Sequence, residues 1–229
     1  MALGIVAAGG YGERLESEVP KPEVELLGQP ILMYALTAFQ GARSISGIIV
    51  VVPPGRLGVW PLERVRRAGI SKAMSVVAGG ATRQESVSNA LGAIPEHEGI
   101  VVVHDAARPA VTPEMIDDAS LIPPGADGVI TAVPVTDTIK RVEDGVVERT
   151  IDRSRLAAVQ TPQAFELKAL RKAHRLASES GFTGTDDASL VERMGGKVLV
   201  RTGDRENIKV TFPGDIARAE AIILARREH

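Results

Sequence analysis

Ile5-Val6-Ala7-Ala8-Gly9-Gly10-Tyr11-Gly12-Glu13-Arg14-Leu15, followed closely by Pro20-Lys21-Pro22, is an apolar strand running straight into a glycine turn. Three glycines within four positions, Gly9, Gly10 and Gly12, leave little side-chain bulk there. Backbone N–H groups can therefore approach a ligand's phosphates. Arg14 and Lys21 add two cations where phosphate charge would sit. The combination suggests a nucleoside triphosphate whose phosphates are the reacting part. Two other glycine motifs are excluded. The dinucleotide fingerprint needs a third glycine, and from Gly10 the pattern runs Gly10-Tyr11-Gly12-Glu13-Arg14-Leu15 without it. The Walker loop needs Gly-Lys-Ser/Thr, a triplet the chain lacks.

Outward from that turn, short β-branched runs alternate with longer amphipathic stretches. Strands are expected at Leu3 to Ala8, Ile48 to Val52, Ala73 to Ala78, Ile100 to His104, Val129 to Val135 and Lys197 to Val200. Helices are expected at Pro30 to Ala42, Trp60 to Ala68, Thr82 to Ile94, Pro113 to Leu121, Glu166 to Ser178, Asp186 to Met194 and Ile216 to Arg226. Thr82 with Glu85 reads as a capping box, and Thr112 as the cap before Pro113. The rhythm implies an α/β fold, a doubly wound and mostly parallel sheet with helices on both faces. One segment departs from it. Thr138 to Val142 and Val146 to Ile151 flank Asp144-Gly145, a strong hairpin signal. An isolated hairpin is marginal, so this one should pack on something, and a second subunit is one candidate. No repeat or linker divides the chain, so residues 1–229 are expected to form a single domain carrying a β-hairpin arm at about 136–155.

Composition narrows the function. With 229 residues, 44% of them hydrophobic and 24% charged, the chain is an ordinary globular protein with a substantial core. A net charge of −2 offers no basic field for nucleic acid, and 3% aromatics offer no stacking platform. The absence of cysteine excludes disulfides, thiolate metal sites and a cysteine nucleophile. The N-terminus lacks the basic region of a secretory signal. The run Ile45 to Pro53, holding Ser46 and Gly47, is far below membrane-spanning length. A cytoplasmic protein that binds neither nucleic acid nor membrane is therefore expected.

Ligands of open α/β sheets bind at the carboxyl ends of strands. Three polar loops fall there: the glycine turn with Arg14 and Lys21; Gly79-Gly80-Ala81-Thr82-Arg83-Gln84-Glu85-Ser86; and His104-Asp105-Ala106-Ala107-Arg108-Pro109. Plainer readings exist for several members. Asp105 and Arg108 could be a local ion pair. His104, directly after an apolar strand, reads as a hydrogen-bonded core histidine. Ser86 could face solvent. Asp186 and Asp187 read as helix caps rather than metal ligands. Arg64, Arg66 and Arg67 read as a solvated helix face, and Arg226 and Arg227 as complements of the last helix dipole. The four histidines are scattered, so no protein metal site is expected.

The glycine turn with Pro20-Lys21 resembles the signature of the sugar-nucleotide and polyol-phosphate nucleotidyltransferases. Further strings narrow it: Val103-His104-Asp105-Ala106-Ala107-Arg108-Pro109, Asp137-Thr138-Ile139-Lys140, Gln160-Thr161-Pro162-Gln163, Thr185-Asp186-Asp187-Ala188 and Asn207-Ile208-Lys209-Val210-Thr211. Together, across essentially the whole chain, they resemble the 2-C-methyl-D-erythritol 4-phosphate cytidylyltransferase family. The resemblance implies transfer of CMP from CTP to methylerythritol 4-phosphate by in-line attack at the α-phosphorus. Mg²⁺ is expected to be held mainly through the CTP phosphates. It further implies Arg14, Lys21, Arg153 and Lys209 as catalytic residues. Arg14 and Lys21 stabilise charge, while Lys209 and Arg153 position the acceptor phosphate. Asp105, Arg108, Thr138 and Thr161 are implied as acceptor contacts. Ala7, Ala8, Gly9, Gly10, Gly12, Gly80, Arg83, Ser86 and Ala106 would line the nucleotide. The hairpin, with Thr138 and Arg153 at its ends, is implied as an arm that embraces a second subunit in a homodimer.

Two departures stand out. Ala81 occupies a place where relatives often carry an acidic residue, and Pro22-Glu23-Val24-Glu25 replaces their glutamine and aromatic. The chain also ends too soon for the fused cyclase domain that some relatives carry, so the next pathway step is expected of another chain. Ribitol 5-phosphate is an alternative acceptor, because its relatives share most of these motifs. A non-catalytic nucleotide-binding module is an alternative of a different class, although simple binding does not require Arg14, Lys21 and Lys209 together. A glycosyltransferase would want Asp-x-Asp, which is absent.

Overall fold

Alternation along the strand Ile45–Val52 separates the two faces of the molecule. Ile48, Val50 and Val52 enter one apolar layer with Leu36, Phe39, Trp60 and Ile116. Ile49 and Val51 enter the other, with Val87, Leu91, Val101, Leu170 and Val191. Both faces being buried explains why the run is continuously apolar. The structure is a computed structural model and describes residues 1–10, 15, 19–95 and 99–227.

Its strands are β1 (Ala2–Ala7), β2 (Glu25–Leu26), β3 (Gln29–Pro30), β4 (Ile45–Val52), β5 (Ala73–Ala78), β6 (Ile100–Asp105), β7 (Gly128–Pro134), β8 (Ile139–Glu143), β9 (Val146–Ile151), β10 (Ala157–Glu166) and β11 (Val198–Thr202). Its helices are α1 (Ile31–Gly41), α2 (Leu62–Arg67), α3 (Arg83–Gly92), α4 (Pro113–Ala119), α5 (Leu167–Glu179), α6 (Asp187–Arg193) and α7 (Gly214–Arg227). Seven strands form one sheet in the order β11-β7-β10-β6-β1-β4-β5. All neighbours in it are parallel except β10, which runs antiparallel to both β6 and β7. From β1 the chain steps outward through β4 to β5, then returns to β6 on the other flank of β1. That reversal opens a crevice at the carboxyl ends of β1 and β6.

The expected doubly wound, mostly parallel sheet is therefore present, with one strand unforeseen. β10 contains Gln160, Thr161, Pro162 and Gln163, a polar and proline-bearing string that does not read as a central strand. It is tolerated because the register slips between Gln160 and Gln163. The amide nitrogens of its buried glutamines also find partners: Gln160 Nε2 donates to the Asp204 carbonyl at 2.8 Å and Gln163 Nε2 to Asp186 Oδ2 at 2.8 Å.

Local signals act largely as read. Thr82 and Thr112 cap α3 and α4 by accepting the N–H groups of Glu85 and Met115. The Thr82 box is half made, because the Glu85 carboxylate takes the Ala81 N–H at 2.7 Å instead of reaching back to Thr82. Asp144 and Gly145 sit at φ 48° and 79°, the double left-handed turn of a tight hairpin. Among the described strands, β8 and β9 pair only with each other. They leave Val142, Val146 and Val147 more than half exposed. A third apolar cluster joins Val24, Leu26 and Ile31 to Val210, Ala219 and Ile223. It holds the segment after Lys21 and the segment after Lys209 against α7.

Candidate active site

A cavity of about 780 Å³ lies at the switch point. Ala7, Ala8, Gly9 and Gly10 form its floor at the end of β1, and Lys21, Gly80, Arg83, Ser86, Asp105, Ala106 and Lys209 are on its walls. Strand register delivers these residues together, since Ala7 accepts the Ala106 N–H and the Ala8 N–H reaches Val51. The first and second polar loops touch backbone to backbone. A Cβ on Gly9 would sit 2.7 Å from Ser86 Oγ, and one on Gly79 would sit 3.0 Å from the Gly9 Cα. Glycine is therefore required here for close approach. Ser86 does not face solvent. Its buried hydroxyl donates to the Thr82 carbonyl at 2.9 Å and accepts the Gly80 N–H at 3.1 Å, fixing that turn.

Asp105 ends β6 on the cavity wall. Its Oδ1 lies 2.8 Å from Arg83 Nε and its Oδ2 lies 2.6 Å from Lys209 Nζ. Burial alone would raise the Asp105 carboxyl, but these two cations outweigh it and hold the group well below the usual carboxylate range. Arg83 is shared with buried Asp187, whose Oδ2 is 2.7 Å from Nη1. Burial works against the Arg83 charge, and the two carboxylates override it, keeping the guanidinium above its ordinary value.

The Asp105–Arg108 ion pair does not form. The Arg108 guanidinium donates to the carbonyls of Asn207 at 2.7 Å and Val159 at 3.4 Å, and burial pushes its pKa down. Thr161 is likewise behind the wall: its hydroxyl accepts the Asp105 N–H at 3.0 Å and meets His104 Nδ1 at 3.0 Å. Neither Arg108 nor Thr161 lines the cavity. His104 is fully buried, as expected of a core histidine, with Nε2 3.2 Å from the Arg108 carbonyl.

Lys21 opens a short 3-10 turn, Lys21–Glu23, whose Pro22 is buried. The Glu23 carboxylate is bound by Arg56 and receives the Trp60 indole N–H at 3.3 Å. The unusual Glu23 thus anchors the backbone beside Lys21. Arg14 and Gly12 lie outside the described residues. Thr138 and Arg153 are not on the cavity wall. Arg153 donates to the Thr136 carbonyl and lines a separate hollow of about 520 Å³ with Pro134, Asp152 and Val200. Among the described residues no three His, Cys, Asp or Glu side chains converge as a metal cage.

Two residues have roles that local reading missed. Asp186 is the expected cap of α6, accepting the Ser189 N–H, but Asp187 is buried and binds both Arg83 and His174. Arg226 does more than complement a dipole. It donates to the Ala110 carbonyl, and its Nη2 and Nε lie 2.6 and 3.2 Å from Asp204 and Glu206.

The model of the 2-C-methyl-D-erythritol 4-phosphate cytidylyltransferase family matches residues 2–225. A relative of that name from Geobacter metallireducens is 41% identical over 224 residues, covering 96% of this chain and 97% of the relative. One from Rubrobacter xylanophilus is 43% identical over 227 residues, covering 98% and 96%. The crystal structure of the same-named protein from Thermus thermophilus superposes with a TM-score of 0.79 at 32% identity, covering 98% of each chain.

Proposed function

The chain belongs to the 2-C-methyl-D-erythritol 4-phosphate cytidylyltransferase family, and on that premise we propose that it transfers CMP from CTP to 2-C-methyl-D-erythritol 4-phosphate with release of pyrophosphate. The observation that carries this reading is the Lys209–Asp105 pair, 2.6 Å apart, on a cavity whose wall also bears Lys21 and whose floor is the Ala7–Gly10 turn. Such a cavity has a bare backbone for phosphates, a cation for the reacting phosphorus, and a charged pair for a phosphorylated polyol.

The acceptor's phosphate oxygen attacks the α-phosphorus of CTP in line, and pyrophosphate leaves. This chemistry asks for alignment of two anions and stabilisation of developing charge rather than covalent help. Lys21 and Arg14 are assigned the charge stabilisation. Lys209 and Arg153 hold the acceptor phosphate, Thr138 assists, and Asp105 accepts from acceptor hydroxyls. Arg108 and Thr161 support the wall from behind. Gly80, Ser86 and the Ala7–Gly10 turn receive the nucleotide.

Mg²⁺ fits this site as a passenger of the triphosphate. Asp105, the one carboxylate on the described wall, already has each oxygen bound by a cation, so the phosphates would supply most of the metal's ligands. When bound, Mg²⁺ neutralises charge on the leaving pyrophosphate. Thr138 and Arg153 lie at the ends of the exposed hairpin and away from the cavity of their own chain. We therefore assign the hairpin as a dimerisation arm that brings them to the partner's cavity. The substrates are water-soluble, and no described helix is long and apolar enough to cross a membrane, which suits a cytoplasmic enzyme.

The test is pyrophosphate release from CTP with methylerythritol 4-phosphate, with ribitol 5-phosphate run in parallel. Higher kcat/KM with the methylerythritol substrate is expected. Preference for ribitol 5-phosphate would reassign the acceptor, and CTP binding without turnover of either would make the chain a binding module.

A further inference from the structure

Four charged groups form a line from the cavity wall into the interior. Lys209 Nζ is 2.6 Å from Asp105 Oδ2, Asp105 Oδ1 is 2.8 Å from Arg83 Nε, and Arg83 Nη1 is 2.7 Å from Asp187 Oδ2. His174 Nε2 closes the line, 3.0 Å from Asp187 Oδ1. Asp187 and His174 are buried and do not line the cavity. Nothing in the proposed reaction uses them.

The guanidinium is a rigid planar fork. One limb of Arg83 is committed to Asp105 on β6 and another to Asp187 on α6, so its plane is set by carboxylates on two different elements. Without Asp187, the same fork is free to close on both Asp105 oxygens, the bidentate geometry that arginine and carboxylate favour. Arg83 Nη2, buried and without a partner, would then turn onto Oδ2 and compete with Lys209 for it.

The start of α6 is braced for such a task. Gln84, next to Arg83, accepts the Gly184 N–H at 2.9 Å and donates to the Phe182 carbonyl at 3.1 Å. Asp186 is held by Gln163 at 2.8 Å. Burial would raise the Asp187 carboxyl, but Arg83 and His174 overcome it and keep the group ionised.

We propose that Asp187, steadied by His174, is a positioning residue for the acceptor half of the site: it holds Arg83 back so that Asp105 keeps one oxygen for Lys209 and the acceptor. The inference rests on the reaction proposed above. It differs from a purely structural role for Asp187 in weighing on the acceptor far more than on CTP.

The experiment is steady-state pyrophosphate release by the full chain, varying CTP and methylerythritol 4-phosphate separately, with melting temperatures measured alongside. Asp187→Asn keeps the shape and removes the charge. Its acceptor KM should rise about tenfold, and its CTP KM, through the shift of Arg83 on the shared wall, by a clearly smaller factor. His174→Ala should move the acceptor KM in the same direction by a smaller factor. His174→Gln, whose amide nitrogen can replace Nε2 as donor, should restore it to within about twofold of wild type. A lower kcat with both KM values unchanged, tracking a lower melting temperature, would mean lost folded protein only and would overturn the proposal. If Asp187→Asn does not fold, the His174 pair decides: equal acceptor KM values in His174→Ala and wild type would sink it. Wild-type protein that releases no pyrophosphate would instead refute the underlying reaction, and the inference with it.

Discussion

His104 Nδ1 and Thr161 Oγ1 lie 3.0 Å apart, and the same hydroxyl oxygen accepts the N–H of Asp105. The other ring nitrogen faces the Arg108 carbonyl at 3.2 Å, which can only accept. A neutral ring has one N–H, so the proton is assigned to Nε2, and Thr161 donates to Nδ1. The Arg108 carbonyl thereby sets the tautomer of His104, and one threonine links that ring to the backbone that presents the carboxylate of the site.

That neutrality has a pH consequence. Burial pushes the His104 pKa down from 6.5 to about 4. Between those values the unfolded chain binds a proton that the folded chain refuses. Stability should therefore fall as the pH drops through that window, by on the order of 3 kcal/mol from this group, and lose nothing further from it below about 4. The lowered carboxyls of Asp105 and Asp187 act in the same direction, but only once the pH reaches the carboxylate range. Urea unfolding across the window measures the slope, and His104→Gln should flatten it. A wild-type midpoint independent of pH there would refute the neutral, buried assignment.

Thr161→Val keeps the volume and deletes the hydroxyl. It strands the Asp105 N–H and His104 Nδ1 in a buried space, which should cost about 1–3 kcal/mol in denaturant unfolding. Thr161→Ser should recover most of that loss. If valine is as stable as threonine, the hydroxyl does not carry the bonds assigned to it.

How much of this was readable beforehand depended on range. The strand-to-glycine turn at Ala7 to Gly10 and the Asp144-Gly145 hairpin carry their reasons in adjacent residues, and both formed as expected. β10 was hidden because Gln160, Thr161 and Gln163 are buried polar residues whose partners, such as Asp204 and Asp186, lie far along the chain. Asp187 looked like a second helix cap beside Asp186, and only the fold reveals Arg83 at its side. Arg226 looked like a dipole complement because Ala110, Asp204 and Glu206 are invisible from its own helix. Thr138 and Arg153 were legible as hairpin ends, but their own sequence neighbourhood does not show that they stand outside the cavity of their own chain.

Lys21→Ala removes a cation from the cavity wall without opening the core. Loss of one preorganised charge stabiliser should lower kcat by roughly 10²–10³, with melting temperature nearly unchanged. Single-turnover pyrophosphate release is the measurement. A raised KM for CTP with kcat intact would make Lys21 a binding residue and leave the charge stabilisation to Arg14.

Arg226→Ala tests a connection invisible from the helix alone. Arg226 ties the loop bearing Asp204 and Glu206, which leads into Lys209, to the carbonyl of Ala110. Its loss should raise the acceptor KM by about 2–5-fold with the CTP KM unchanged. Amide exchange across 204–209 should quicken in parallel. A dipole complement alone would alter neither, so unchanged exchange and unchanged KM would return Arg226 to that simpler role.

Lys21 lies on the cavity wall and Arg153 at the foot of the exposed hairpin, outside that cavity in the same chain. If the arm completes the partner's site, the two residues that serve one reaction come from different subunits. Lys21→Ala and Arg153→Ala proteins should each be severely impaired. Mixed and allowed to exchange, they should regain activity, because a heterodimer contains one site with both Lys21 and Arg153 intact. Random exchange leaves about a quarter of all sites complete, so recovery towards about a quarter of wild-type activity is expected. Substituting the exposed Val146 and Val147 with aspartate should abolish both the recovery and the dimer seen by light scattering. Activity that stays at the sum of the two separate variants, in a solution where exchange is verified, would place Arg153 in the site of its own chain.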